Sequence, residues 1–261
     1  MTVDNEIDSG KAFDWENTSS DYAKYRDIYP DEFYERIKAL NLCVEGQKVL
    51  DLGTGTGVLP RNMYKYKASF IGVDASENQI CEARRLSIEA GMDIEYITAP
   101  AEDVVFPEES FDVVTACQSF MYFDRSIVIP KVHSILKNYG HFLILNMAWL
   151  PEESEIAKKS EEMVLKYNPS WTGGGMKRYT LNESDWSNKL FICEHIITFD
   201  ISVPFTRETW HGRMKTCRGI GASLKASEIS HWEKEHIAFL DTVPEIFNIL
   251  HYASLIVLRK V

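Results

Sequence analysis

The stretch Val49-Leu50-Asp51-Leu52-Gly53-Thr54-Gly55-Thr56-Gly57 decides the reading of this chain. It is a short apolar strand that runs into a glycine-rich turn. Glycine has no Cβ, so the backbone can bend sharply there and lie against a ligand. Seventeen residues beyond Gly57, a second apolar run, Phe70-Ile71-Gly72-Val73, ends in Asp74. A glycine turn with an acid at the tip of the next strand is how α/β folds hold an adenosine ribose.

The glycine spacing narrows the ligand. A nicotinamide or flavin fingerprint needs G-x-G-x-x-G, whose third glycine lets the helix approach the strand under a pyrophosphate. Counted from Gly53 that glycine falls on Val58, and counted from Gly55 on Pro60. A G-x-x-x-x-G-K-[ST] phosphate loop is also missing. Adenosine without phosphates fits the pattern, and S-adenosylmethionine is such a ligand. Residues 49–57 resemble the first motif of the class I S-adenosylmethionine-dependent methyltransferases.

Composition bounds the class. With 261 residues, 45% hydrophobic and 26% charged, the chain has room for one large α/β domain with an insertion, or for two small domains. No apolar run approaches the length of a membrane span, and the acidic, polar start (1–10) is not a signal peptide. Five scattered cysteines without a C-x-x-C pair point to a reducing cytoplasm and free thiols. A net charge of −11 argues against a nucleic-acid partner. The histidines have no H-E-x-x-H spacing, so no metal is expected.

Periodicity gives the order of elements. An amphipathic helix (31–40) carries Phe33, Ile37 and Leu40 at helical spacing. Strands over 48–51, 70–74, 94–98, 112–116 and 141–147 then alternate with helices over 59–66, 77–90 and 127–136. Ser76 and Gly91 cap the second of these helices, and a turn at 138–140 precedes the last of these strands. Such alternation predicts a Rossmann-like, doubly wound, mostly parallel seven-stranded sheet with helices on both faces. Ligands then sit beyond the carboxyl ends of the strands. The tail adds strands at 192–203 and 252–258 around helices at 207–218 and 227–240. We expect a cap at 1–45, a cofactor-binding core at 46–150, a lid insertion after the fifth strand at 151–190, and completion of the sheet at 191–261. The lid contains a charged helix (152–166) and Gly173-Gly174-Gly175, which mark a mobile loop.

The resemblance assigns roles residue by residue. Asp51, Gly53, Thr54, Gly55 and Gly57 form the cofactor turn, and Asp74 takes the ribose, although an acid there can also cap a helix. Asp74-Ala75-Ser76 followed by Gln79 resembles the family's second motif, with Ala75 and Gln79 near the adenine. Members often carry Gly-Asp before the next alanine; here those places are Ala99-Pro100, which moves the adenine contact to Ala101 and Glu102. Cys117, Gln118 and Tyr122 follow the fourth strand, beside the methionine moiety and the acceptor. Relatives of the trans-aconitate methyltransferase type often have His-Trp where this chain has Met121-Tyr122, so no histidine base carries over. Tyr122 is a candidate to orient the acceptor or to pack, and Cys117 reads as a small buried residue rather than a nucleophile. The segment from Tyr22 through Tyr25, Arg26 and Tyr29 to Pro30 resembles the family's Y-x-x-Y-R-x-x-Y-P cap. Tyr25 and Arg26 would reach the cofactor, and Tyr22 and Tyr29 the acceptor. Trp171, Trp210 and Arg213 are candidate acceptor-lining residues, with core packing as the competing reading of the tryptophans.

The implied activity is methyl transfer from S-adenosylmethionine to a small-molecule acceptor by in-line displacement, leaving S-adenosylhomocysteine. Without a histidine base, an acceptor that is already nucleophilic is favoured. The competing reading is a non-enzymatic regulatory protein that binds either cofactor form. Monomer and homodimer both stay open.

Overall fold

The computed structural model describes residues 7–261. In chain order the strands are β1 (Lys48–Leu52), β2 (Ser69–Asp74), β3 (Glu95–Thr98), β4 (Phe111–Cys117), β5 (Leu136–Trp149), β6 (Phe191–Thr206) and β7 (Ile246–Lys260). The helices are α1 (Ser19–Tyr25), α2 (Asp31–Ala39), α3 (Val58–Met63), α4 (Glu77–Glu89), α5 (Arg125–Ile135), α6 (Glu155–Tyr167), α7 (Glu183–Trp186), α8 (Arg207–Lys215) and α9 (Ala226–Leu240).

The chain forms two compact units. One comprises 29–147, 179–199 and 253–261 and contains residues of all seven strands. The strand order is β3-β2-β1-β4-β5-β7-β6, and β1 to β5 pair in parallel through registers such as Asp51↔Gly72 and Asp51↔Thr115. β1, β2 and β4 are almost wholly buried and mostly apolar, as a helix-covered parallel sheet demands. Leu50, Val73, Val114, Phe142 and Leu258 share one core with Val128 and Val132 of α5. The sheet is the mostly parallel, doubly wound sheet expected from the alternation.

Several boundaries shift, as where the last strand, expected at 252–258, runs over Ile246–Lys260, and one differs in kind. The turn expected at 138–140 lies inside β5 as an irregularity: Tyr139 takes φ +63°, and the register steps from Phe111↔Leu136 to Val113↔His141. The extra residues are absorbed without ending the strand, as in a bulge.

The second unit comprises residues up to 28, then 148–178 and 200–252. The 151–190 segment is thus shared between the units. Its glycine run, expected as a mobile loop, is tied at several points. Glu161, a buried carboxylate, accepts from Gly175 N at 2.8 Å and from Trp149 Nε1 at 2.5 Å. Just before the run, Thr172 N and Arg218 Nε donate to the fully buried Asp8 at 2.7 and 2.6 Å. His211 pairs through Nδ1 with His236 Nδ1 at 2.9 Å, and His236 Nε2 meets Ser160 Oγ at 2.9 Å.

Candidate functional site

The strand order reverses between β1, which leads outward to β2 and β3, and β4 beside it. Ligands of open α/β sheets bind in the crevice beyond the carboxyl ends at this switch point. Three segments end there: the glycine turn after β1, Asp74 at the end of β2, and the loop after β4.

The turn is built by its glycines. Gly53, Gly55 and Gly57 all have positive φ, at +68°, +55° and +72°, and Gly57 leads into α3. Thr54 N donates to Val73 O at 2.9 Å, which closes the turn onto β2. A Cβ on Gly53 would stand 2.4 Å from Ser119 Cβ, so this position admits glycine alone. The Ser119 hydroxyl donates to Leu52 O at 2.7 Å and locks the loop after β4 against the turn.

Asp74 connects the elements. Its Oδ2 accepts from Gly55 N at 2.8 Å and its Oδ1 from Ser76 N at 2.9 Å. Ser76, not Asp74, caps α4, accepting from Gln79 N at 3.2 Å. Below the turn, buried Asp51 accepts from Thr115 Oγ1 at 2.6 Å. Burial pushes the Asp51 carboxyl up to about 7, with the Asp74 charge adding and the Thr115 and Thr54 hydroxyls opposing. Gln79 Oε1 and Thr56 Oγ1 are among the buried polar atoms that have no hydrogen-bond partner within the described residues. Such orphans are costly unless a ligand satisfies them.

The loop after β4 starts with Gln118 at φ +59°, a strained conformation for a residue with a side chain and one that concentrates at functional sites. Gln118 is held by its amide to Leu145 O at 2.9 Å and by its side chain to Met147 O. The Cys117 thiol points to Tyr29 OH at 3.9 Å. Burial and the Asp51 charge push that thiol far up, so it stays protonated and is no nucleophile. Tyr29 stacks near Phe33, with ring centroids 4.9 Å apart. Tyr122 is half-buried in the short helical turn after Ser119. Glu102 is used structurally: its carboxylate accepts from Asp124 N, the cap of α5, at 2.8 Å, and its carbonyl accepts from Lys131 Nζ. Ala101 is buried and Ala75 exposed.

The remaining expected residues belong to the other unit. Arg26 lies over the Tyr22 ring, 4.6 Å from its centroid. Tyr25 packs flat on Gly212, and its hydroxyl bonds Lys24 Nζ at 2.6 Å and Glu208 at 3.1 Å. Trp210 is fully buried and donates to Ser160 Oγ at 3.0 Å. Trp171 is buried over Gly173 and Gly219. Both tryptophans are buried, which favours the core-packing reading of them over the acceptor-lining one. Arg213 is also buried, its guanidinium over Trp149 at 4.7 Å and its Nη1 donating to Cys217 Sγ at 3.4 Å.

Sequence reasoning missed Thr115, Ser119 and Tyr96. Tyr96 fills the space left by glycine, since a Cβ on Gly57 would lie 2.3 Å from its hydroxyl. None of the three has a local signature. Thr115 becomes visible only through its register opposite Asp51.

Comparison with known proteins identifies the family. A family model described as a methyltransferase domain matches residues 50–144. The ubiquinone biosynthesis O-methyltransferase of Pseudomonas entomophila is 31% identical over 164 residues, covering 60% of this chain and 68% of the relative. That of Pseudomonas syringae is 30% identical over 161 residues, with coverage of 60% and 68%. In fold, the chain is similar to the YcgJ protein of Bacillus subtilis, with a TM-score of 0.56 at 22% identity over 88% of this chain and 98% of that one. The chain belongs to the class I S-adenosylmethionine-dependent methyltransferases, enzymes of methyl transfer. These relatives do not single out the trans-aconitate-like subgroup. Among the described residues, no helix is long and apolar enough to cross a membrane.

Proposed function

We propose that the crevice beyond β1 and β4 binds S-adenosylmethionine, and that the chain moves its methyl group to an oxygen of a small-molecule acceptor. The observation that carries this reading is Asp74, whose carboxylate at the end of β2 accepts from the Gly55 amide and so stands beside the glycine turn at the switch point, where a charged acceptor suits ribose hydroxyls. The glycine turn leaves backbone room beside it, and the orphaned Gln79 Oε1 calls for a donor such as an adenine amine. The family membership supports the cofactor, and the O-methyltransferase names of the relatives support oxygen as the acceptor atom.

When bound, S-adenosylmethionine supplies a methyl group activated by a positive sulfur. The chain's work is alignment, which contributes roughly 7–11 kcal/mol in well-oriented reactions. Asp74 fixes the ribose. Asp51, whose carboxyl burial raises to about 7, would be shifted toward its charged form by a bound cationic cofactor. Tyr29, beside the end of β4, offers a ring face to a sulfonium, worth about 0.5–2 kcal/mol. Tyr122 orients the acceptor. Acceptor choice is assigned to residues 151–190 on the resemblance. No residue described here is placed as a general base, which fits an acceptor oxygen ionised before it binds.

Calorimetric titration with S-adenosylmethionine, S-adenosylhomocysteine and a nicotinamide dinucleotide tests the binding. The expected result is one site for each of the first two and none for the third. Binding of neither methionine-derived ligand overturns the proposal. Turnover with small phenols and carboxylic acids then tests the oxygen assignment.

A further inference from the structure

The sheet-bearing unit holds a second cavity, of about 350 Å³, that the methyl-transfer reading does not use. Its floor is Phe120, Phe142, Ile144, Phe191 and Leu258, all buried. Ile129 of α5 and Trp186 of α7 form walls. An apolar hollow of this size is in the range of small-ligand pockets rather than packing defects.

The lining also carries charges of both signs. Arg125 and Asp185 both line the cavity, yet no ion pair joins them. The Arg125 guanidinium lies over the Phe120 ring, 4.9 Å from its centroid, and among the described residues it makes no hydrogen bond to protein. Among the described residues, the Asp185 carboxylate accepts only from Asn182 Nδ2, at 3.2 Å. Asn188 accepts at its Oδ1 from the amides of Leu190 and Phe191, at 2.7 and 3.0 Å, and among the described residues its Nδ2 has no protein acceptor. A ligand matched to this lining has an apolar body for the floor, an anion for Arg125 and Asn188, and a cation for Asp185.

We infer that this cavity binds a free amino acid with a large apolar or aromatic side chain. The carboxylate pairs with Arg125, the ammonium with Asp185, and the side chain lies among Phe142, Phe191 and Leu258. A carboxylate without the ammonium leaves Asp185 beside an uncompensated anion, and an amine without the carboxylate leaves Arg125 unmatched. The cavity also touches the cofactor loop. Phe120 follows Ser119, whose Cβ abuts Gly53, and Phe120 packs edge-on against Phe123 at 6.3 Å. Occupancy therefore biases the glycine turn, and the amino acid and the cofactor change each other's affinity by the same factor. That last consequence alone rests on the methyltransferase reading.

The test is calorimetry with L-phenylalanine, 3-phenylpropionate and 2-phenylethylamine on the full chain. L-Phenylalanine is expected to bind at one site, each half-ligand about tenfold or more weakly. R125Q is expected to weaken L-phenylalanine and 3-phenylpropionate but not the amine, and D185N the amino acid and the amine but not the acid. Ile129→Trp, which fills the hollow, abolishes all three, with circular dichroism and the thermal transition reporting an intact fold. Absence of L-phenylalanine binding, equal binding of a half-ligand, or binding that survives the Ile129→Trp change in a folded protein overturns the inference. Failure of S-adenosylhomocysteine to bind the wild-type chain is a separate result that leaves the amino-acid arm readable through circular dichroism.

Discussion

Asp74 reaches from the end of β2 to the Gly55 amide, 2.8 Å from its Oδ2, so the proposed ribose acid also braces the turn that receives the cofactor. Ser76 rather than Asp74 caps α4, which frees Asp74 from the competing role that sequence left open. Asp74→Ala removes both the brace and the ribose contact. S-adenosylhomocysteine affinity is expected to fall by about 2–3 kcal/mol, on the scale of charge-assisted hydrogen bonds, while stability falls by about 1 kcal/mol. Calorimetry and thermal unfolding separate the two effects. Unchanged affinity would remove Asp74 from the ribose.

Asp51 sets a pH dependence. Its carboxyl titrates near 7 in the folded chain against an ordinary 3.8. The folded state therefore binds the proton more tightly than the unfolded state. The resulting stabilisation is complete below pH 3.8 and is lost as pH rises through about 7, by an amount on the order of a few kcal/mol. Asp51→Asn keeps an acceptor for Thr115 Oγ1 and cannot ionise. Its stability is expected to vary less than wild type between pH 5 and pH 8, roughly the interval over which this group titrates. Melting temperatures at matched ionic strength check this, and parallel curves for the two proteins would refute it.

Gly53 and Gly91 separate backbone strain from steric contact. Both have positive φ, +68° and +66°, but a Cβ at Gly91 meets open space whereas one at Gly53 collides with Ser119. Gly91→Ala is expected to cost about 1 kcal/mol, the usual strain of a left-handed alanine. Gly53→Ala is expected to cost at least about twice that and to weaken cofactor binding, because Ser119 must leave Leu52 O. Denaturant midpoints for the two variants measure the difference, and equal losses would show that the loop after β4 yields easily.

The sheet was legible because burial on both faces writes long apolar runs into β1, β2 and β4, and because glycine and acid mark the switch point at the ends of β1 and β2. The tryptophans stayed ambiguous for a physical reason. Trp171 and Trp210 stand in polar, helical or glycine-rich stretches where lining a ligand and packing in the core read alike, and only tertiary contacts with Gly219 and Ser160 show the packing. Asp8 was invisible in an acidic N-terminal stretch, since its partners Thr172 and Arg218 lie far along the chain. The cofactor turn is local and therefore readable, whereas Thr115, Ser119 and Tyr96 contribute through strand register and glycine-shaped space.

Asp8 and Arg218 yield the last prediction. Asp8 is fully buried, and the Arg218 side chain is only 10% exposed, with Nε 2.6 Å from Asp8 Oδ2. Burial opposes the charge on Asp8, but hydrogen bonds from Arg218 and Thr172 outweigh it and hold the carboxyl below its ordinary range. The stability this adds is present above the unfolded value near 3.8 and is lost as pH falls through the lower, folded one. Asp8→Asn keeps an acceptor for Thr172 N but leaves a buried guanidinium without its counter-charge. Breaking one side of a buried pair typically costs about 3–5 kcal/mol. The double variant Asp8→Asn with Arg218→Met removes the stranded charge and is expected to recover much of that loss. Urea unfolding of the wild type, both single variants and the double variant closes the cycle. A coupling near zero would mean that the 172–175 loop is held by Glu161 alone.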